Sequence, residues 1–277
     1  MIEEPERRPI VTRNLRILWV LVASLGSLQA QWIKYPTAGV PHLPNGQPDL
    51  NAPAPKTADG KPDFTGVWQA NRDDSTELSF GGNPIPREFS NLGVRLKDGL
   101  PYTVWARELM QARKANNERD SPDTRCLPVG ILWLHTHLFP WKFLQMPGLA
   151  VILYEKNTSF RQIYMDNRPL PVDPEPSFYG YSVGAWEGDT LVVRTIGIRD
   201  DTWADSGGSP ITESAKITER FRRPKFGRLE VEITVEDAKA YTAPWTVKIL
   251  QDLRVDSDLL EFICVDNEKK IQHLVGQ

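Results

Sequence analysis

The sequence predicts a mainly β protein, either an antiparallel barrel or, as the alternative, a β-sandwich. Two observations carry this. From Pro147 onward, short apolar runs follow one another at hairpin spacing, and the run "RLEVEITVE" alternates strictly, with Leu229, Val231, Ile233 and Val235 against Glu230, Glu232, Thr234 and Glu236. A third is the absence of any βαβ rhythm, which removes parallel α/β folds. With 277 residues, 40% of them hydrophobic and 25% charged, the chain is large enough to bury a full core.

In chain order, Arg7, Arg8, Arg13 and Arg16 precede the apolar run "ILWVLVASLGSL", which ends in "QA" at Ala30. This is the pattern of a secretory signal peptide over residues 1–30, too short for a comfortable membrane span, with cleavage expected after Ala30 and an uncleaved anchor as the alternative. Its removal leaves 29 basic against 33 acidic residues, a net charge of −4 in place of −3. A mildly acidic chain has no basic field for nucleic acid, and no stable membrane span remains after cleavage. The expected location is secreted or periplasmic. Nothing in the sequence points to an oligomeric state.

Residues 31–61 are rich in proline and polar residues and contain a loose echo, "NGQPDL" then "DGKPDF". They read as an extended arm. Residues 62–277 read as a single domain. "FTGVWQA" opens it as a short strand, and "LPYTVWARELMQARKAN" reads as a helix over about 101–117, with Pro101 near its start and Trp105, Leu109 and Ala112 at helical spacing. In "LWLHTHLF", His135 and His137 would share one face of a strand, a spacing compatible with a metal, yet no third ligand is identifiable and no metal or cofactor is expected.

Hairpins follow. "LAVILYE" and "SFRQIYMD" flank "KNT", "YSVGAWE" and "TLVVRTIGI" flank Gly188-Asp189, and "KITERFRR" and "RLEVEITVE" flank "PKFG". "PWTVKIL" and "LLEFICV" end the series as the last expected strands. Arg220, Arg222, Glu230 and Glu232 read as cross-strand pairs on a solvated face. Cys126 and Cys264, the only two cysteines and both in the exported part, are expected to form a disulfide.

Within the second hairpin, "GYSVG" matches G-x-S-x-G around Ser182. The register set by Gly188-Asp189 opposes Trp186 to Leu191, Gly184 to Val193 and Ser182 to Thr195. Ser182 therefore lies mid-strand, without the strand-to-helix turn that a nucleophilic serine needs. The small residues Ser182, Gly184 and Thr195 beside Trp186 make either a pocket wall or a place that bulky residues fill from the opposite strands.

The segments "RQIYMDNRPLPVDPEPSFYGYSVGAWEGDTLVVRTIGI", "ITERFRRPKFGRLEVEITVEDAKAYTAPWTV", "DGKPDFTGVW", "RCLPVG" and "LVGQ" resemble a family of uncharacterised secreted bacterial proteins with "GRPLP", "GYSVGxWEGDTLVVETxGF" and "DPKAYTxPWTV" segments. The resemblance implies membership without an activity. Where members commonly show "GHPHSE", this chain has "GGSPITE" at Gly207 to Glu213, so those histidines are missing. Separately, Gly66-Val67-Trp68 resembles the G-x-W opening of lipocalin-type barrels, which implies a calycin-like antiparallel barrel.

A polar set stands out: Glu155, Arg161, Tyr164, Asp166 and Arg168 around the first strong hairpin, joined by Asp200, Asp201, Trp203 and Glu213. Together with Ser182 and Trp186, its members are candidates to bind a ligand at a barrel mouth or to fix loops through ion pairs. The resulting expectation is a small apolar or amphipathic molecule bound in the barrel. The alternatives are an enzyme using carboxylate, Tyr and Arg groups, marked by a carboxylate of raised pKa, and an envelope-associated module with a filled core.

Overall fold

The computed structural model describes residues 36–72, 79–80 and 83–264. The expected signal peptide lies outside them. From Thr37 on, the described residues belong to one compact unit. Strands β1 (Gly66–Ala70), β4 (Trp141–Met146), β5 (Leu149–Tyr154), β6 (Ser159–Tyr164), β7 (Tyr181–Glu187), β8 (Thr190–Ile196), β9 (Lys216–Lys225), β10 (Arg228–Glu236) and β11 (Trp245–Leu253) form a closed barrel, while β2 (Ser79–Phe80) and β3 (Asn83–Pro84) make a separate two-stranded ribbon. The barrel is calycin-like. β4 to β11 follow each other around the wall, and β1 closes it by pairing with both β11 and β4. Every neighbouring pair is antiparallel except β6 with β7, a parallel contact of only two residue pairs, Ile163 with Ser182 and Tyr164 with Val183.

The predicted hairpins form in the expected register. Ser182 opposes Thr195, Gly184 opposes Val193 and Trp186 opposes Leu191, and Gly188 supplies the positive φ of 61° that a two-residue hairpin loop requires at its first position. On the outer face Glu230 opposes Arg222 and Glu232 opposes Arg220. Leu229, Val231, Ile233 and Val235 are all fully buried, so the strict alternation marks the core face.

Several expectations change. "LLEFICV" forms no strand up to Cys264, because the position beside β11 is taken by β1. "WKFLQM", unassigned from sequence, is strand β4, its inward Trp141 and Phe143 alternating with Lys142 and Leu144. The long helix α1 (Val104–Ala115) starts later than Pro101, directly after Thr103, whose hydroxyl accepts from the Ala106 amide as an N-cap. "ILWL" forms a single helical turn, α2 (Ile131–Leu134), entered through Gly130 at a φ of 88°. All four of its residues are buried, and a segment that is apolar on every side has no face for a half-exposed strand to turn outward. His135 and His137 therefore follow a helical turn rather than share a strand face.

The echo in the arm is structural. Around Gly46 and Gly60, at φ of 82° and 78°, two turns close with matching bonds. In the first, the amides of Gly46 and Asp49 donate to Leu43 and Pro41. In the second, those of Gly60 and Asp63 donate to Thr57 and Pro55. The second turn docks against the β7–β8 hairpin tip, where Lys56 pairs with Asp189 at 3.7 Å and Lys61 Nζ donates to the Gly188 carbonyl at 3.3 Å. At the other end of the chain, a disulfide joins Cys126 to Cys264. It ties the tail that follows β11 to the loop after α1, and closing 138 residues of chain stabilises by up to about 5 kcal/mol on the chain-entropy model.

Candidate functional site

Two places in the barrel carry the candidate chemistry, one sealed and one open. The sealed one is an ionic cluster in the interior. On β6, Arg161 has the inward parity of Ile163, and on β9, Glu219 has that of Ile217 and Phe221. Arg161 Nη1 donates to Glu219 Oε1 at 3.0 Å, and its Nη2 donates to Oε2 of the same carboxylate, so the pair is bidentate. Arg161 Nε donates to the Ser182 hydroxyl at 3.0 Å and Nη2 to the Thr195 hydroxyl at 2.8 Å. His135 Nε2 lies 2.6 Å from Glu219 Oε1, and the chain behind it is anchored where Gln251 donates to the His135 carbonyl at 2.7 Å.

Burial pushes the Glu219 carboxyl up, but Arg161 and the hydrogen bond from His135 outweigh it and hold the group at about 2. An ionised Glu219 can only accept, so His135 Nε2 carries the proton in that bond. A carboxylate so acidic is too weak a base for proton abstraction near neutral pH and has no proton to donate. Ser182 is 1% exposed and bonds Arg161 and Thr195, with no imidazole among its partners in the described residues. The cluster binds β6, β7, β8, β9 and the turn after α2 to one another.

The open place is a cleft of about 500 Å³ at the other end of β7. Met146, Ala150, Met165, Trp186 and Leu191 give it an apolar wall, and the docked arm turn contributes Thr57, Ala58 and Asp59. Trp186 packs its ring on Phe64, 5.4 Å between centroids, with Lys61 Nζ 5.8 Å above it. A volume of this size, mostly apolar with a few polar groups at one side, is typical of small-molecule sites. Asp59 at the rim is exposed, and the Thr57 hydroxyl that bonds it lowers its pKa.

The expected site residues do not gather in one mouth. Trp186 lines the cleft. Arg161, Tyr164 and Ser182 line a recess of about 200 Å³ at the parallel β6–β7 seam, where Tyr164 stacks on Tyr181 at 5.1 Å and the Arg168 guanidinium lies 3.9 Å from the Tyr164 ring. Glu213 lines a different recess, of about 260 Å³. Trp203 is buried in the loop layer, stacked on Trp133 at 6.4 Å with Arg113 at 4.6 Å. Glu155 accepts the Leu260 amide at 2.8 Å, and burial raises its pKa. Arg168 pairs with Asp166, Arg199 with Asp201, and Lys239 with Asp200, all as surface loop contacts.

The space beside Ser182, Gly184 and Thr195 is filled rather than hollow. The Ser182 and Thr195 hydroxyls bond each other at 2.9 Å, and the Arg161 guanidinium packs against both and donates to each. A Cβ at Gly184 would lie 2.5 Å from Met165 Sδ and 2.9 Å from Ile163 Cγ2. Glu219 was the residue missed by sequence reasoning, although its parity with Ile217 and Phe221 marks it as inward. The methionines of the cleft carried no such signal. No family model, no curated protein and no solved structure matches the chain.

Proposed function

We propose that the protein binds a small apolar or amphipathic molecule in the cleft beside Trp186. The single observation that carries this reading is the 500 Å³ cleft with Met146, Met165, Trp186 and Leu191 in its wall. Two thioether side chains are deformable and suit a ligand of irregular shape, while the indole gives a rigid flat contact. The filled polar interior restricts the ligand to this end of the barrel. The Cys126–Cys264 disulfide supports action outside the cytoplasm.

Ala58 is exposed and sits on the arm turn at the rim of the cleft, away from the core. Titration of the purified protein with decan-1-ol, followed by tryptophan fluorescence, should saturate at one molecule per chain. Ala58→Trp should weaken this binding by about tenfold or more while leaving the thermal midpoint nearly unchanged. Equal affinity in both proteins, or no saturation in the wild type, overturns the reading.

A further inference from the structure

Beside the arm turn lies another recess, of about 230 Å³, lined by Pro55, Lys56, Pro62, Asp189, Arg222 and Arg223. Arg223 is 6% exposed and is held rigidly, its guanidinium 4.9 Å from the Trp68 ring and 5.1 Å from Phe226. Nε and Nη2 donate to the Phe226 carbonyl at 3.0 and 2.6 Å, and Nη1 donates to the Asp63 carbonyl. A guanidinium carries five N–H groups, so one remains on each terminal nitrogen. No carboxylate forms a salt bridge with Arg223 among the described residues. The nearby Asp63 carboxylate is engaged by the Thr65 amide at 2.8 Å. Burial lowers the Arg223 pKa to about 10, with Asp63 opposing that shift.

A buried guanidinium bonded only to carbonyls, with two N–H groups left over, has its charge only partly offset by the nearby Asp63 carboxylate. Lys56 and Arg222 add two further positive charges to the lining, whose one carboxylate is Asp189, 3.7 Å from Lys56, while Asp63 lies near Arg223 and Glu230 stands opposite Arg222 on β10. We propose that this recess binds a small oxyanion of the phosphate, sulfate or carboxylate type, received by the free fork of Arg223 and flanked by Lys56 and Arg222. The two remaining N–H groups lie on the two ends of a planar fork, the arrangement that suits two oxygens of one anion. Lys56 and Pro62 belong to the docked arm turn, so the recess is complete only while that turn is in place.

The oxyanion is either a free ion or the head of an amphiphile whose tail lies in the neighbouring cleft, and the second source rests on the function proposed above. Calorimetric titration of wild type and the double variant Lys56→Gln/Arg222→Gln with inorganic phosphate, sodium decanoate and decan-1-ol separates them, with thermal midpoints confirming that the variant folds. A free ion predicts one phosphate per chain in the wild type, weakened about tenfold or more in the variant, with decanoate and decan-1-ol alike. An amphiphile predicts decanoate about tenfold tighter than decan-1-ol in the wild type and equal to it in the variant. Phosphate and decanoate binding that the two substitutions leave unchanged overturns the proposal. So does a wild type that ignores phosphate and treats decanoate like decan-1-ol. Failure of decan-1-ol alone to bind sinks the cleft reading and leaves the phosphate measurement standing.

Discussion

Around Arg161 the barrel interior is polar and sealed, whereas around Trp186, four residues from Arg161's partner Ser182 and at the other end of β7, it is apolar and open to an arm. At the first end, Arg161 and Glu219 pair with each other and bond His135, Ser182 and Thr195, so both charges are compensated. At the second, Met146, Met165 and Trp186 are only partly covered by the core, and the cleft between them and the docked turn is left over. The difference shows where specificity and binding are divided. A buried ion pair fixes one arrangement of the strands and tolerates no vacancy, because a lone charge in the core is costly. An apolar wall tolerates a vacancy at the modest cost of lost contacts.

The comparison breaks most visibly if one charge is removed. Glu219→Ala leaves Arg161 buried and uncompensated, and should lose about 3–5 kcal/mol in urea unfolding, whereas the double variant Arg161→Met/Glu219→Leu should recover most of the loss. A single variant no less stable than the double one would show that the charges are not coupled. Next in size is Gly184→Leu, between the two ends. With Met165 Sδ and Ile163 Cγ2 already in the way, it should destabilise by about 1–3 kcal/mol. A neutral result would mean that the interior there is hollow.

A pH series sharpens the contrast on the sealed side. Burial, reinforced by Lys156, lowers the His137 pKa to about 3. The folded state therefore binds fewer protons than the unfolded one below the ordinary imidazole value of about 6.5. Stability from this group is complete above that value and is lost as pH falls towards 3, at up to about 1.4 kcal/mol per pH unit. His137→Asn should flatten the urea-midpoint slope between about pH 6 and pH 5 relative to wild type. Identical slopes would place the ring in water. Smallest of all, Ser182→Ala should cost about 1 kcal/mol for its lost bond to Arg161, and a fluorophosphonate reagent should leave wild-type Ser182 unlabelled. Labelling at Ser182 would restore the hydrolase reading of "GYSVG".

The barrel was legible because parity and turn residues are local signals. The Gly188-Asp189 loop alone sets the register of seven residue pairs in the β7–β8 hairpin. The same parity rule, applied to "KITERFRR", places Glu219 inward beside Ile217 and Phe221, a signal present but outweighed by the habit of reading Glu as exposed. The site was less legible for a physical reason. The cleft arises between an arm residue, Ala58, a strand-turn residue, Met146, and the far end of another hairpin, Trp186, and no single stretch of sequence encodes that meeting. "LWLHTHLF" misled because a run apolar on all sides has no period to distinguish a strand from a helical turn.

The β6–β7 seam has one consequence of counting. Among the described residues, nine strands form the wall. Up and down must alternate around a ring for every neighbour to run oppositely, and an odd ring cannot alternate throughout, so one mismatch is obligatory. Here it falls between β6 and β7, where two residue pairs span a join that eight pairs span between β10 and β9. The long crossover from Met165 to Gly180 is the chain's way of returning to the starting edge to run in the same direction. Local opening of the wall has its lowest barrier at that join, since the fewest backbone bonds must part there. It is the natural slit of an otherwise endless sheet, and Arg161, bonded across it to Ser182, acts as its clasp.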